Sequence, residues 1–144
     1  MKVNLYAEEV AVAAIAMKLG RPVKLIIDRL DSFVSDAHAR DHRIKARMAL
    51  SETGEILGLE VDDIGAVGAY GMPLRFNVAE GMMAITGAGA PYKFESYKAR
   101  TRSVYVNKNL IGMYRGVGIP LAVVATELLT DLAAEKLGDR TSVV

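Results

Sequence analysis

The sequence predicts an α+β fold in which helices pack on a mixed, mostly antiparallel β-sheet. Two segments within residues 44–64 alternate apolar and charged side chains on either side of a turn. An alanine-rich opening segment and a segment beginning at Pro120 carry helical periodicity. Strands and helices do not alternate regularly, which argues against a doubly wound parallel sheet.

The elements follow in order. Leu5, Val12 and Leu19 lie a heptad apart with Ile15 and Ala16 on the same face, so the opening residues predict a helix. Gly20 is its C-cap candidate, and Pro22 forbids continuation. Val23, Leu25, Ile26 and Ile27 predict a short buried strand ending at Asp28. Residues 29–34 are ambiguous, with room for one helical turn, and the polar, aperiodic residues 35–43 predict a loop. Ile44, Ala46, Met48 and Leu50 then face one side, Lys45 and Arg47 the other. After a turn at 51–55, Leu57, Leu59 and Val61 return inward, and Glu60 and Asp62 outward. Antiparallel pairing would set Lys45 and Arg47 near those two acids.

Residues 65–91 predict a long connection with a Met-rich stretch at 79–85; a connection of this length is functional or carries a short helix. A strand over 96–106 puts Tyr97, Ala99, Thr101, Ser103 and Tyr105 on one face and Lys98, Arg100 and Arg102 on the other. The last helix begins at Pro120, with Leu121, Val124, Ala125, Leu128, Leu132 and Ala133 as its apolar face and Gly138 as its stop. Residues 139–144 have no pattern.

The composition narrows the function. Half of the 144 residues are apolar (51%), enough for a core, and the formal charge of +1 recruits neither nucleic acid nor an acidic membrane. The absence of cysteine excludes disulfides, thiolate zinc sites, iron–sulfur ligation by this chain and a cysteine nucleophile. Charges at Lys2, Glu8, Glu9 and Lys18 break any signal-peptide apolar region, and no apolar run reaches a membrane span, so a cytoplasmic protein is expected.

The strongest chemical candidate is the segment 113–120, Met-Tyr-Arg-Gly-Val-Gly-Ile-Pro. Gly116 and Gly118 let backbone amides approach a ligand, and Pro120 starts a helix whose free N–H groups point back into the loop. Arg115 adds a planar five-donor fork. Together they would hold an anionic or oxo-bearing group; the alternative, a plain strand-to-helix turn with a surface arginine, stays open.

Other patterns are weaker. Gly65, Gly68 and Gly71 have the spacing Gly-x-x-Gly-x-x-Gly and are followed by Pro73, which favours close backbone packing over a dinucleotide site. His38 and His42 are four apart but lack a third ligand at a telling distance, so structural or solvated histidines are expected and no metal site. Lys98, Arg100 and Arg102 read as a solvated sheet face rather than a nucleic-acid surface.

Three pieces in order carry a family resemblance. They are Leu19-Gly20-Arg21-Pro22-Val23-Lys24 with Asp28-Arg29 and His38-x-Arg40; Gly68-Ala69-Tyr70; and Tyr114-Arg115-Gly116-Val117-Gly118-x-Pro120 leading into Glu127 and Asp131. With them the chain, from Met1 to about Gly138, resembles the molybdenum-binding large subunit of the xanthine dehydrogenase/aldehyde oxidase family, the molybdenum hydroxylases. The resemblance implies a molybdenum–molybdopterin cofactor and hydroxylation of a carbon centre with oxygen from water. It implies iron–sulfur clusters and often FAD on partner subunits or domains. It carries over Met113, Tyr114, Arg115, Gly116, Gly118 and Lys2 as cofactor contacts, and places Val117, Met83 and Val3 on the substrate side.

Departures from the family pattern qualify this. Met1-Lys2 matches only the last two positions of the family's Gly-Gly-x-Phe-Gly-x-Lys loop, and Asp139-Arg140-Thr141 replaces an Asp-Pro turn. The second molybdenum-binding domain and its catalytic glutamate have no counterpart, so no catalytic residue is expected in this chain. Residues 1–138 are expected to be part of a first molybdopterin-binding domain, with 139–144 a divergent tail. The chain is thus expected to be a fragment or one piece of a split subunit, inactive alone. A truncated non-catalytic remnant and a small interaction module without cofactor are the alternatives. Val3, Val117 and Met83 stand where xanthine dehydrogenases carry an acid, a phenylalanine and an arginine, which disfavours purines. Gly116 stands where carbon monoxide dehydrogenases carry a cysteine, which disfavours that activity and leaves an aldehyde or an N-heterocycle.

Overall fold

The structure, a computed structural model, describes residues 6–71 and 78–138. Its elements are α1 (Ala7–Leu19), α2 (Arg29–Ser35), β1 (His42–Leu50), β2 (Ile56–Gly68), α3 (Ala79–Gly87), β3 (Ser96–Tyr105) and α4 (Ile119–Leu137). Leu5 and the patternless residues 139–144 lie outside the described residues.

The alternating segments pair as their pattern requires. β1 and β2 are antiparallel, with Lys45 opposite Asp62 and Arg47 opposite Glu60. β3 lies on the other side of β2 and runs parallel to it. The fold is α+β with a mixed sheet of one antiparallel and one parallel pairing. A parallel neighbour needs a crossover connection. The stretch between β2 and β3 supplies it, with α3 inside.

The solvent face of the sheet is an ion-pair lattice. Arg47 Nε donates to Glu60 Oε2 at 3.0 Å, and Lys98 lies 3.4 Å from Glu60 Oε1. Arg100 and Arg102 both reach Asp62, at 2.6 and 3.1 Å. Arg47 beside Glu60, and Arg100 beside Asp62, hold the two carboxyls below their ordinary values. The basic stripe on β3 is therefore matched to acids on β2.

The other face builds the core. Leu59, Val61, Ala88 and Ala122 are its buried centre, with Ile44, Ala46, Met48, Ile85, Ala99 and Leu129 packed around them. Buried Thr126 donates back to the Ala122 carbonyl at 2.7 Å and accepts from the Gly89 amide at 2.9 Å.

Three local expectations are corrected. Val23, Leu25, Ile26 and Ile27 form no strand, and Leu25 and Ile26 are exposed. An apolar run becomes a strand only where a sheet edge accepts its backbone, and β1, β2 and β3 make up the described sheet. Asp28, read as a strand end, instead caps α2: its Oδ1 accepts from the Asp31 amide at 2.9 Å. His42 and Arg43 belong to β1 rather than to a loop.

The third correction concerns α4. It starts at Ile119 and stops at Gly138 (φ 71°), but Ala122, Thr126 and Ala134 are its buried residues. Val124, Leu128 and Leu132 are 57–60% exposed. Small side chains let α4 come close to α3: a methyl group at Gly87 would stand 2.8 Å from Ile119 Cδ1 and 3.3 Å from Ala122 Cβ. A face read by hydrophobicity alone misses a contact made by alanine and threonine.

Candidate functional site

The loop before α4 is a tight turn with an unusual backbone. The Val117 amide donates to the Tyr114 carbonyl at 2.7 Å, and the Ile119 amide to the Gly116 carbonyl at 2.9 Å. Gly116 has φ 82°, natural for glycine. Val117 has φ 49°, a genuine outlier for a β-branched residue. Gly118 is pressed against the first turn of α3. A methyl group there would overlap the Glu80 carbonyl oxygen and the Ala84 nitrogen.

A second segment meets this loop. His38 bridges Ile111, its amide donating to the Leu110 carbonyl at 2.9 Å and its carbonyl accepting from the Gly112 amide at 2.7 Å. That pairing carries Arg40 under the loop. Arg40 Nε donates to the Val117 carbonyl at 3.1 Å, and Nη2 donates to the Arg115 carbonyl. The Arg40 guanidinium carbon lies 5.3 Å from the centre of the Tyr114 ring. Arg40 has φ 66° and Val117 φ 49°; they are the non-glycine residues with positive φ among those described, and they bond to each other.

Beneath Arg40 sits a buried charge cluster. His42 and Asp63 lie on neighbouring strands, and Glu80 on the first turn of α3. His42 Nδ1 is 2.8 Å from Asp63 Oδ1, and Nε2 is 3.4 Å from Glu80 Oε2. Their side chains are 3%, 0% and 4% exposed. Thr101 donates to Asp63 Oδ2 at 2.7 Å, and the Arg40 amide donates to Glu80 Oε2 at 3.2 Å. Two glycines make room: a methyl group at Gly65 would stand 2.6 Å from His42 Cε1, and one at Gly81 2.9 Å from Asp63 Oδ2. Glu80 Oε1 has no hydrogen-bond partner among the described residues.

Burial opposes charge on His42, but hydrogen bonds and the negative charges of Asp63 and Glu80 outweigh it and lift its pKa from 6.5 to about 9. His42 is therefore a cation between two carboxylates at neutral pH. A raised folded-state pKa gives stability that is fully present below the unfolded value of 6.5 and lost as pH rises through 9. The expected outcome is a fall in denaturant midpoint between pH 7 and pH 9.5, worth up to about 3 kcal/mol. In His42→Gln that fall should be absent; an unchanged pH profile in the variant would refute the assignment.

The structure places the sequence-predicted residues as follows. Met113, Tyr114, Arg115 and Gly116 are exposed on the loop, Gly118 is buried at its end, and Val117 is half-buried. The amides of Arg115 and Gly116 take no hydrogen-bond partner among the described residues. Met83 lies on the α3 turn that abuts Gly118. Lys2 and Val3 lie outside the described residues. Arg40, Asp63 and Glu80 join the site without a sequence signal for that role, and His42, expected as a structural or solvated histidine, is buried between two acids.

A family profile described as the molybdopterin cofactor-binding domain matches residues 1–142. The chain belongs to that family.

Two curated relatives and a solved structure fit the assignment. The chain is 33% identical over 141 residues to the 6-hydroxypseudooxynicotine dehydrogenase complex subunit gamma of Paenarthrobacter nicotinovorans, covering 96% of this chain and 17% of that protein. It is also 33% identical over 141 residues to the carbon monoxide dehydrogenase large chain of Hydrogenophaga pseudoflava, covering 94% of this chain and 17% of that protein. The structure of quinoline 2-oxidoreductase from Pseudomonas putida 86 superimposes with a TM-score of 0.84 at 36% identity, over 95% of this chain and 17% of that one. The chain thus spans 17% of the length of these relatives, which are themselves named as a complex subunit and a large chain. This molybdopterin-binding domain holds no helix, among the described residues, long and apolar enough to cross a membrane.

Proposed function

We propose that the chain is the molybdopterin-binding part of a molybdenum hydroxylase that oxidises an aldehyde or an N-heterocycle with water-derived oxygen, and that residues 113–118 contact the cofactor. The observation that carries this is the anchored loop. Its Arg115 and Val117 carbonyls are engaged by Arg40, while Arg115 and Gly116 are exposed with amides that take no partner among the described residues. A guanidinium and amide donors side by side suit an anionic or oxo-bearing group, so the residues present fit the cofactor.

When bound, the molybdenum–molybdopterin group supplies the oxygen-transfer chemistry and accepts the two electrons of a hydroxylation. The chain's part is to bind and orient. Arg115 and the Gly116 amide hold negative charge, and Tyr114 and Met113 flank them. Lys2 joins the contacts in this reading. Val117, Met83 and Val3 belong to the substrate side in this reading and offer no acid, aromatic ring or cation, which disfavours a purine. Gly116 after Arg115 leaves no thiolate beside the loop, which disfavours carbon monoxide. The similarity to quinoline 2-oxidoreductase supports the N-heterocycle arm. Residues 1–138 are part of a first molybdopterin-binding domain in this reading, and 139–144 a divergent tail. The catalytic base, the iron–sulfur clusters and any FAD come from partner segments or subunits, so the chain alone carries no turnover.

Arg115→Ala tests the cofactor contact in the assembled enzyme. Charge-assisted hydrogen bonds are worth about 1.5–3 kcal/mol each, so molybdenum per protein should drop at least several-fold. Stability should change by only about 0.5 kcal/mol, as for an exposed side chain. Equal metal content in wild type and variant would reduce Arg115 to a turn residue.

A further inference from the structure

We propose that Arg40 is the positioning residue of the 113–118 loop: its side chain pins the Arg115 and Val117 carbonyls inward, and its backbone is fixed to the buried His42–Asp63–Glu80 cluster. The proposal rests on the reading of that loop as a cofactor contact and deepens it.

Three observations support it. Arg40 spends two donors on two carbonyls two residues apart, which a flexible single-point cation cannot reproduce with the same geometry. Fixing those carbonyls on the protein side sets the orientation of the intervening peptide units. The Gly116 amide shares a rigid peptide plane with the pinned Arg115 carbonyl, so its direction is set by that bond.

Next, Arg40 is itself held. Its amide donates to Glu80 Oε2 at 3.2 Å. The same oxygen lies 3.4 Å from His42 Nε2, whose other nitrogen is 2.8 Å from Asp63. The Glu80 backbone also forms the wall that Gly118 leans on. One helical turn of α3 therefore touches both Arg40 and the end of the loop.

Finally, strain coincides with the contact. Arg40 and Val117 both take positive φ, and such strain persists only where surroundings over-determine it. Here the two strained residues are joined by the Arg40 Nε to Val117 oxygen bond.

Amide hydrogen exchange on the full chain tests the proposal without any cofactor. In Arg40→Ala, exchange at the hydrogen-bonded amides of Val117 and Ile119 should speed up at least tenfold while β2 amides at 59–64 change less than twofold. Arg40→Lys, which keeps charge but not the fork, should fall between the two. Unchanged loop exchange in Arg40→Ala, or wild-type exchange in Arg40→Lys, would overturn the proposal. Should Arg40→Ala lose β2 protection as well, Arg40→Lys decides by the same readout. Molybdenum per protein in the assembled enzyme separates this idea from the cofactor reading. A wild type that holds no molybdenum would sink the reading and leave the exchange result standing. A loosened loop with wild-type molybdenum content would sink the positioning role, and an at least threefold loss of metal in Arg40→Ala supports it.

Discussion

Asp63→Ala is expected to destabilise the chain by about 3–5 kcal/mol, because removing one member of a buried ion pair leaves the other charge uncompensated. Asp63 is fully buried and accepts from both His42 and Thr101. Its loss strands the imidazolium with Glu80 at 3.4 Å and the Thr101 hydroxyl with no carboxylate. Asp63→Asn should cost less, since an amide oxygen still accepts from His42 and the hydroxyl can turn to accept. Denaturant midpoints of the two variants measure this. A loss under 1 kcal/mol for the alanine variant would mean that the cluster contributes little to the fold.

Gly118→Ala is the second large effect. The added methyl group would run into the Glu80 carbonyl oxygen and the Ala84 nitrogen, both backbone atoms that cannot swing aside. The helices α3 and α4 would have to part, at a cost of about 3 kcal/mol or more for a close-packed contact. Gly20→Ala is the matched control. Gly20 has φ 64° with nothing within 4 Å of its would-be methyl group, so only the backbone penalty of about 1–2 kcal/mol applies. Thermal or denaturant unfolding of both variants checks the contrast; Gly118 has an ordinary backbone at φ −85°, so a loss no larger than that of Gly20→Ala would show that the helix contact yields easily.

The hairpin was legible because two independent signals agreed: alternation within each strand, and opposite charges on the outward faces of the two strands, which the structure pairs as Lys45–Asp62 and Arg47–Glu60. The strand at 96–105 was legible by alternation too. Its parallel pairing was not, since alternation says which side chains share a face and nothing about strand direction. The long connection before it held that information, because only a crossover of that kind returns the chain for a parallel neighbour.

The loop at 113–118 was legible from its glycines and the proline that follows, but its support was not. Arg40 lies in a polar, aperiodic stretch, and its role comes from φ 66° and a reach to residues 115 and 117 that no local pattern encodes. The buried cluster did leave a trace. Asp63 continues the inward series of Leu59 and Val61, and His42 continues that of Ile44 and Ala46. A charged residue in phase with the apolar face of one strand, and a titratable one in phase on its neighbour, signals a buried pair. The α4 contact was misread for the opposite reason, because its buried residues are the small Ala122, Thr126 and Ala134.

The two halves of Arg40 make opposing demands on the same position. A backbone at φ 66° favours glycine or asparagine, while the carbonyls of Arg115 and Val117 call for a planar fork that arginine provides. A design effort guided by stability alone would pick glycine at position 40 and relax the backbone. In doing so it would remove the side chain that shapes the loop, so a more stable scaffold would present a less defined binding surface.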